Sequence, residues 1–207
     1  SDDNIEYRNC YVTNIAPTGT ISFMMDCQTT GIEPNLALVS YKSLVGGGGL
    51  RLTNELVPRA LRKLGYDEGA VAKMQEYLVW NGTLDGAPGL KPEHLPIFDC
   101  SFPAGTSKRV ISPSGHVAMM AVVQPHLSGA VSKTVNMPEE STVEGIEQVY
   151  MSAWLRGVKC IAVYRDNSKT AQPVTTRKLC KCGKELAKPT AGSCAVCPTC
   201  GDTSGCS

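Results

Sequence analysis

Neither sign of charge predominates in this chain, whose 207 residues carry 20 Lys and Arg against 19 Asp and Glu, a formal net charge of +1. Near-neutrality removes the electrostatic drive toward nucleic acid or an anionic membrane, so any bound anion must be met by local donors. A run of about 18 apolar residues, the length a spanning helix needs, is missing, and so is a basic start followed by an apolar stretch and a small-residue cleavage site. These absences point to a soluble, cytoplasmic chain. Histidine is scarce: His94, His116 and His126 stand singly, without metal-ligand spacing, and are expected to be structural. The first residue is Ser1 rather than Met, as in a processed product or a piece of something longer, and a serine can serve as the downstream nucleophile of protein splicing.

Cysteine, by contrast, is plentiful and unevenly spread. Of ten, Cys10, Cys27, Cys100 and Cys160 are scattered and six fall between Cys180 and Cys206. The length suits one body with a core and a small appendage, and the cysteines mark the boundary. Without a secretory signal, such clustering indicates metal or redox chemistry more than a disulfide framework. The chain divides into a body over 1–164, a polar linker over 165–179 and a tail over 180–207, where too few apolar residues remain for a core without a metal or disulfide.

Within the body, Tyr11 to Ile15 reads as a strand entering a turn of small hydroxyl residues, followed by a less regular apolar stretch. Past the loop-like Gly46 to Gly49, Thr53 is placed to cap a helix with Leu56, Val57, Ala60, Leu61 and Leu64 on its apolar face and Gly65 at its end. Val71, Met74, Tyr77 and Leu78 define a second helix, stopped by Asn81 and Gly82. Residues 83–113, with five prolines, read as mostly loop. Ser114 is expected to cap a third helix through Val117, Met120, Ala121 and Gln124, which Pro125 perturbs or ends. Val131 to Asn136 predicts a strand. Ser141 and Glu144 form a capping box for a helix through Ile146, Val149, Tyr150 and Ala153, ending at Gly157, and Cys160 to Tyr164 gives the next strand. Strand, helix and strand at this separation make a right-handed parallel unit, so the fold class is α/β.

The turn after the first strand is the first candidate site. Thr18, Thr20 and Ser22 offer hydroxyls, Gly19 allows close approach of the backbone, and Pro17 fixes the entry. A phosphate needs converging N–H donors of this kind. By pattern alone the plainer reading is a tight connection whose hydroxyls cap the following helix.

The segment Ala16-Pro17-Thr18-Gly19-Thr20-Ile21-Ser22-Phe23-Met24-Met25-Asp26-Cys27, continued by Thr29-Thr30-Gly31-Ile32-Glu33-Pro34, resembles the class II, adenosylcobalamin-dependent ribonucleotide reductases. So do Val57-Pro58-Arg59-Ala60-Leu61, Gly86-Ala87-Pro88-Gly89-Leu90-Lys91-Pro92-Glu93-His94-Leu95-Pro96, Gln124-Pro125, Ser128-Gly129-Ala130, Ser132-Lys133-Thr134-Val135-Asn136-Met137-Pro138 and Ala162-Val163-Tyr164-Arg165-Asp166. The resemblance spans nearly all of residues 7–173 in the family's order. It implies the C-terminal part of a ten-stranded α/β barrel, with Pro17, Thr18, Gly19, Thr20 and Ile21 binding the phosphates of a ribonucleotide, mildly favouring diphosphates. It also implies that the radical cysteine, its Asn and Glu partners, the substrate-reducing cysteine pair and most of the adenosylcobalamin site lie upstream, in an N-terminal reductase portion. No catalytic residue is then expected in this chain, which should be inactive alone. Asn9-Cys10 precedes the phosphate strand, out of order for the radical loop, and Cys10 is expected to be a buried or incidental thiol. Cys27, Cys100 and Cys160 are expected to be buried thiols, and nothing in the sequence pairs Asp26 or Glu33.

In the tail, Cys180-Lys181-Cys182-Gly183 and Cys194-Ala195-Val196-Cys197 make two knuckles of a zinc-ribbon-like unit, with Cys180, Cys182, Cys194 and Cys197 as the metal set. The first knuckle departs from the usual two intervening residues. Cys200 and Cys206 then remain as a candidate redox pair near the end, although all six cysteines also read as structural. The resemblance favours a tail that re-reduces the active site, served by a thioredoxin-like reductant. The second functional reading is a non-catalytic zinc-ribbon binding module left from a split or truncated reductase. Near-neutral charge and a ribbon without aromatics speak against nucleic acid as its partner.

Overall fold

The computed structural model describes residues 8–43, 49–168, 174–175 and 197. They fall into two compact units, one built from residues up to 35 together with 111–168, the other from 36–110 together with the described residues beyond 168.

In the first unit, α1 (Gly19–Met24) follows the hydroxyl-rich turn, and α4 (Pro113–Val123) leads through a 3₁₀ turn (Gln124–His126) to β3 (Thr134–Met137), α5 (Val143–Leu155) and β4 (Ala162–Arg165). β3 and β4 pair in parallel, Thr134 opposite Ala162 and Met137 opposite Arg165, as the strand–helix–strand pattern predicts. The expected strand Tyr11 to Ile15 is reduced to a parallel bridge between Ile15 and Val131. Before it the Gly129 amide donates to the Thr13 carbonyl at 2.8 Å, and Ser128 Oγ accepts from the amides of Val12 and Thr13, each at 2.9 Å. Gly129 packs so close that an added Cβ would lie 2.8 Å from the Thr13 carbonyl. Gln124, 4% exposed, donates to the Gly129 carbonyl at 2.8 Å and accepts from the Lys159 amide at 3.3 Å. Both ends of its amide are thereby satisfied, as burial requires. Val117, Met120, Val135, Met137, Val149 and Ala153 form the core between the helices and the strand pair.

In the second unit, β1 (Val39–Ser43) and β2 (Gly49–Thr53) form an antiparallel ladder, with β5 (Val174–Thr175) on the other edge of β1. α2 (Leu56–Lys63) and α3 (Glu68–Asn81) follow, then a 3₁₀ helix (Pro92–Phe98) within the stretch read as loop. Val57, Leu61, Val71, Met74 and Leu78 close its core with Leu38 and Val39. Leu56, assigned to the apolar face, is instead 49% exposed.

Three helix starts differ from expectation. Asn54, not Thr53, bonds the first turn of α2, accepting from the Leu56 amide at 2.8 Å, because Thr53 is committed to β2. α4 is capped by Ser112, whose hydroxyl accepts from the Gly115 amide at 3.2 Å. This puts Pro113 at the first helical position, where its missing N–H costs nothing. α5 is capped by Thr142 in place of Ser141, through the Gly145 amide at 3.1 Å. The stops hold: Gly65, Gly82 and Gly157 take φ of 89°, 71° and 70°, left-handed values that glycine adopts freely. Among the described residues no helix is long and apolar enough to cross a membrane.

Candidate phosphate site

The turn at 16–22 is built around an unusual residue. Thr18 has φ 48° and ψ 33°, a left-handed conformation costly for a β-branched side chain. Two contacts hold it there. The Gly31 amide donates to Thr18 Oγ1 at 2.7 Å, and Ser22 Oγ donates to the same oxygen at 3.3 Å. The Thr18 hydroxyl therefore faces the protein, and α1 starts without a side-chain cap. The plainer reading of the turn, hydroxyls capping a helix, is not what the residues do.

The first bond of α1 runs from the Ser22 amide to the Thr18 carbonyl at 3.0 Å. The amides of Gly19, Thr20 and Ile21 precede that ladder and have no carbonyl four residues back within the helix. Gly19, Thr20 and Ile21 are exposed, and an added Cβ on Gly19 would meet nothing within 4 Å. Gly19 is not in the left-handed region; Thr18 carries that strain instead. Of the three candidate hydroxyls, Thr18 and the 7%-exposed Ser22 are turned inward and Thr20 is exposed. Pro17 is exposed at the entry.

Behind the turn lies a charged cluster that sequence reasoning missed. The Glu33 amide donates to the Thr30 carbonyl at 2.9 Å, closing a second turn that also contains Gly31. Gly31 has φ 53°, and a Cβ there would lie 2.7 Å from the Ala16 carbonyl. The Glu33 carboxylate accepts from the Thr134 amide and, at 2.9 Å, from Lys133 Nζ. Lys133, with a side chain 2% exposed, also donates to His116 Nδ1 at 2.7 Å and to the Thr134 carbonyl at 3.2 Å. Its three protons thus have three acceptors. His116 is 1% exposed, and burial, reinforced by the Lys133 charge, pushes its pKa down to about 4. The ring is neutral at pH 7; with Nδ1 accepting, Nε2 carries the proton, and among the described residues it finds no acceptor. Glu33, for which the sequence offered no partner, is paired with Lys133, while Asp26 is exposed with φ 52°.

Of the other histidines, His94 Nδ1 bonds the Tyr66 hydroxyl at 2.7 Å, a structural role, and His126 is exposed. Cys27 and Cys160 are exposed, contrary to the expectation of buried thiols, and Cys10, read as buried or incidental, is exposed as well. Cys100 is buried as expected, and burial, with Asp99 adding to it, pushes its thiol up to about 12. Of the proposed zinc set only Cys197 lies within the described residues, where it is buried. Cys180, Cys182 and Cys194, and the pair Cys200 and Cys206, lie outside them. No group of three or more metal-ligating side chains occurs among the described residues.

The family model for the ribonucleotide reductase barrel domain matches residues 4–164. A vitamin B12-dependent ribonucleotide reductase of Streptantibioticus cattleyicolor is 52% identical over 182 residues, which cover 88% of this chain and 29% of that protein. The enzyme of that name from Streptomyces coelicolor is 52% identical over 171 residues, 83% of this chain and 17% of its own length. A Mycobacterium tuberculosis vitamin B12-dependent ribonucleoside-diphosphate reductase is 36% identical over 82% of this chain and 23% of its own. The chain therefore spans less than a third of these relatives. In solved structures, the Actinobacillus ureae class Id ribonucleotide reductase alpha subunit shares the fold over 77% of this chain and 27% of that one, with a TM-score of 0.55 at 21% identity. The chain belongs to the ribonucleotide reductase barrel-domain family, and its relatives at 52% identity are the vitamin B12-dependent, class II members.

Proposed function

We propose that this chain is the C-terminal part of a vitamin B12-dependent ribonucleoside-diphosphate reductase and that residues 17–21 hold the substrate's phosphates. The observation that carries the reading is the uncapped first turn of α1. Three amides lie ahead of the helical ladder, the hydroxyl of the preceding residue is turned away to Gly31, and Gly19 opens onto free space. Backbone donors of this kind, with no acidic side chain in the turn, favour an anion. In a chain of nearly balanced charge such local donors are what phosphate recognition requires.

In the same reading the described strands complete a ten-stranded barrel whose remaining strands, radical cysteine and adenosylcobalamin site belong to the N-terminal reductase portion. None of the described residues is assigned to the cobalamin. The tail holds zinc through Cys180, Cys182, Cys194 and Cys197, and passes electrons from a thioredoxin-like reductant through Cys200 and Cys206, in the cytoplasm. Reconstitution tests the proposal. The chain alone should form no deoxyribonucleotide, and should do so when combined with the N-terminal portion, adenosylcobalamin and a dithiol. Robust reduction by the isolated chain refutes the division of labour.

A further inference from the structure

The cluster at Glu33 has an arrangement that packing alone does not call for. A buried ammonium and a carboxylate of opposite charge sit among three segments: the turn at 30–33, β3, and α4 through His116. Taking such a pair out of water is expensive, and apolar residues of similar volume often serve stability as well or better. Directional contacts are what the pair adds. Glu33 ends the turn that presents Gly31, Gly31 sits against the Ala16 carbonyl, and its amide grips Thr18 Oγ1 at 2.7 Å. Thr18 in turn is the strained residue that starts α1, whose first three amides precede the helical ladder.

We propose that Lys133 and Glu33 are positioning residues for nucleotide binding: they anchor the turn at 30–33 to β3 so that Gly31 holds Thr18 in its left-handed conformation and keeps the amides of residues 19–21 aimed at the substrate phosphate. The inference rests on the reading of residues 17–21 as the phosphate loop. Lys133 touches no substrate; it acts through Glu33, Gly31 and Thr18. His116 completes the coordination of the ammonium as a neutral acceptor. The relay joins residues 100 positions apart in sequence through a short chain of contacts in space.

The test uses the assembled reductase containing this chain, with adenosylcobalamin and reductant. Lys133→Met and Glu33→Gln each break the anchor. Each should raise KM for the ribonucleotide about tenfold while kcat stays within about twofold, since only the aim of the phosphate donors is lost. The double variant Lys133→Met/Glu33→Gln should raise KM no further than either single variant, because the two residues act as one anchor and its loss counts once. Glu33→Asp keeps the charge but shortens its reach, and covers the case in which the single variants fold poorly. It should raise KM severalfold and speed hydrogen exchange at the Ser22 amide, which closes the turn. Gly19→Val, run alongside, tests the phosphate reading itself. If Gly19→Val raises KM but the Glu33 and Lys133 variants only melt earlier with KM unchanged, the positioning role is overturned and the phosphate loop stands. If Gly19→Val leaves KM unchanged, the phosphate reading fails and takes the positioning role with it.

Discussion

His116 ties stability to pH in a way that can be worked out from its surroundings. Its ring is buried against Lys133 and titrates near 4 rather than at the ordinary 6.5. Between these values the unfolded chain binds a proton that the folded chain refuses, so folding stability falls as pH falls through that window. At pH 5, about 1.5 pH units below the ordinary value, the loss is on the order of 2 kcal/mol, and near pH 4 it approaches about 3 kcal/mol. For a chain of this size 2 kcal/mol corresponds to about 4–8 °C in Tm. Carboxylates such as Glu68 and Glu144, held below their usual range by Arg62 and by the first turn of α5 respectively, push in the same direction at low pH. The measurement is therefore a difference. His116→Gln keeps an acceptor for Lys133 but cannot titrate, so urea denaturation of parent and variant at pH 7 and pH 5 isolates the ring. The parent should lose about 2 kcal/mol more than the variant. Equal losses would show that His116 is solvated or already protonated when folded, and the account of the Lys133 coordination would be wrong.

Gly31→Ala should destabilise the chain by about 1–2 kcal/mol from the left-handed backbone alone, with the 2.7 Å approach to the Ala16 carbonyl adding to it; calorimetry reads the shift, and an unchanged Tm would mean that Gly31 sits elsewhere. Brief alkylation of the folded chain at about pH 7.5 should label Cys10, Cys27 and Cys160 and spare Cys100, whose thiol is buried and titrates near 12; mass spectrometry after digestion decides, and early labelling of Cys100 contradicts its burial. The purified chain should carry about one zinc, lost on substitution of Cys180, Cys182, Cys194 or Cys197; elemental analysis without zinc, with three disulfides in the tail, refutes the ribbon.

Local signals carried the helices and the parallel unit. The spacing of Val71, Met74 and Leu78, and of Val149 and Ala153, marks faces that are buried, and the glycines that end α2, α3 and α5 are legible because left-handed backbone favours glycine. Starts are less legible: Ser112, Ser114, Ser141 and Thr142 are all competent caps, and an offset of one or two residues is settled by which amide the hydroxyl reaches. The hairpin of β1 and β2 was missed, although Val39 and Tyr41, and Leu50 and Leu52, alternate on either side of the glycine run. At the site, the resemblance pointed to the turn, but the left-handed Thr18, held by the Gly31 amide, and the inward hydroxyl of Ser22, bonded to Thr18, are properties of contacts that only the fold makes. Nothing in the run Ser132-Lys133-Thr134 marks the lysine as buried. Glu33 stands 100 positions before it, and no periodicity links residues that only the fold brings to 2.9 Å.

The central claim, that residues 17–21 bind phosphate, is tested most directly by comparing a ribonucleoside diphosphate with its parent nucleoside. Calorimetric titration of the assembled reductase with each, for the parent and for Gly19→Val, separates the phosphate contribution from the rest of the ligand. The branched side chain is accommodated by the protein, since a Cβ at Gly19 meets nothing within 4 Å, and on the proposed reading it takes space that the phosphate needs. Losing even one hydrogen bond to a charged phosphate costs about 1.5–3 kcal/mol, roughly ten- to 150-fold in Kd. The account predicts that Gly19→Val weakens the diphosphate by at least that factor, leaves the nucleoside unchanged and keeps the parent Tm. Equal affinity of the variant for the diphosphate, or an equal loss for diphosphate and nucleoside, contradicts it.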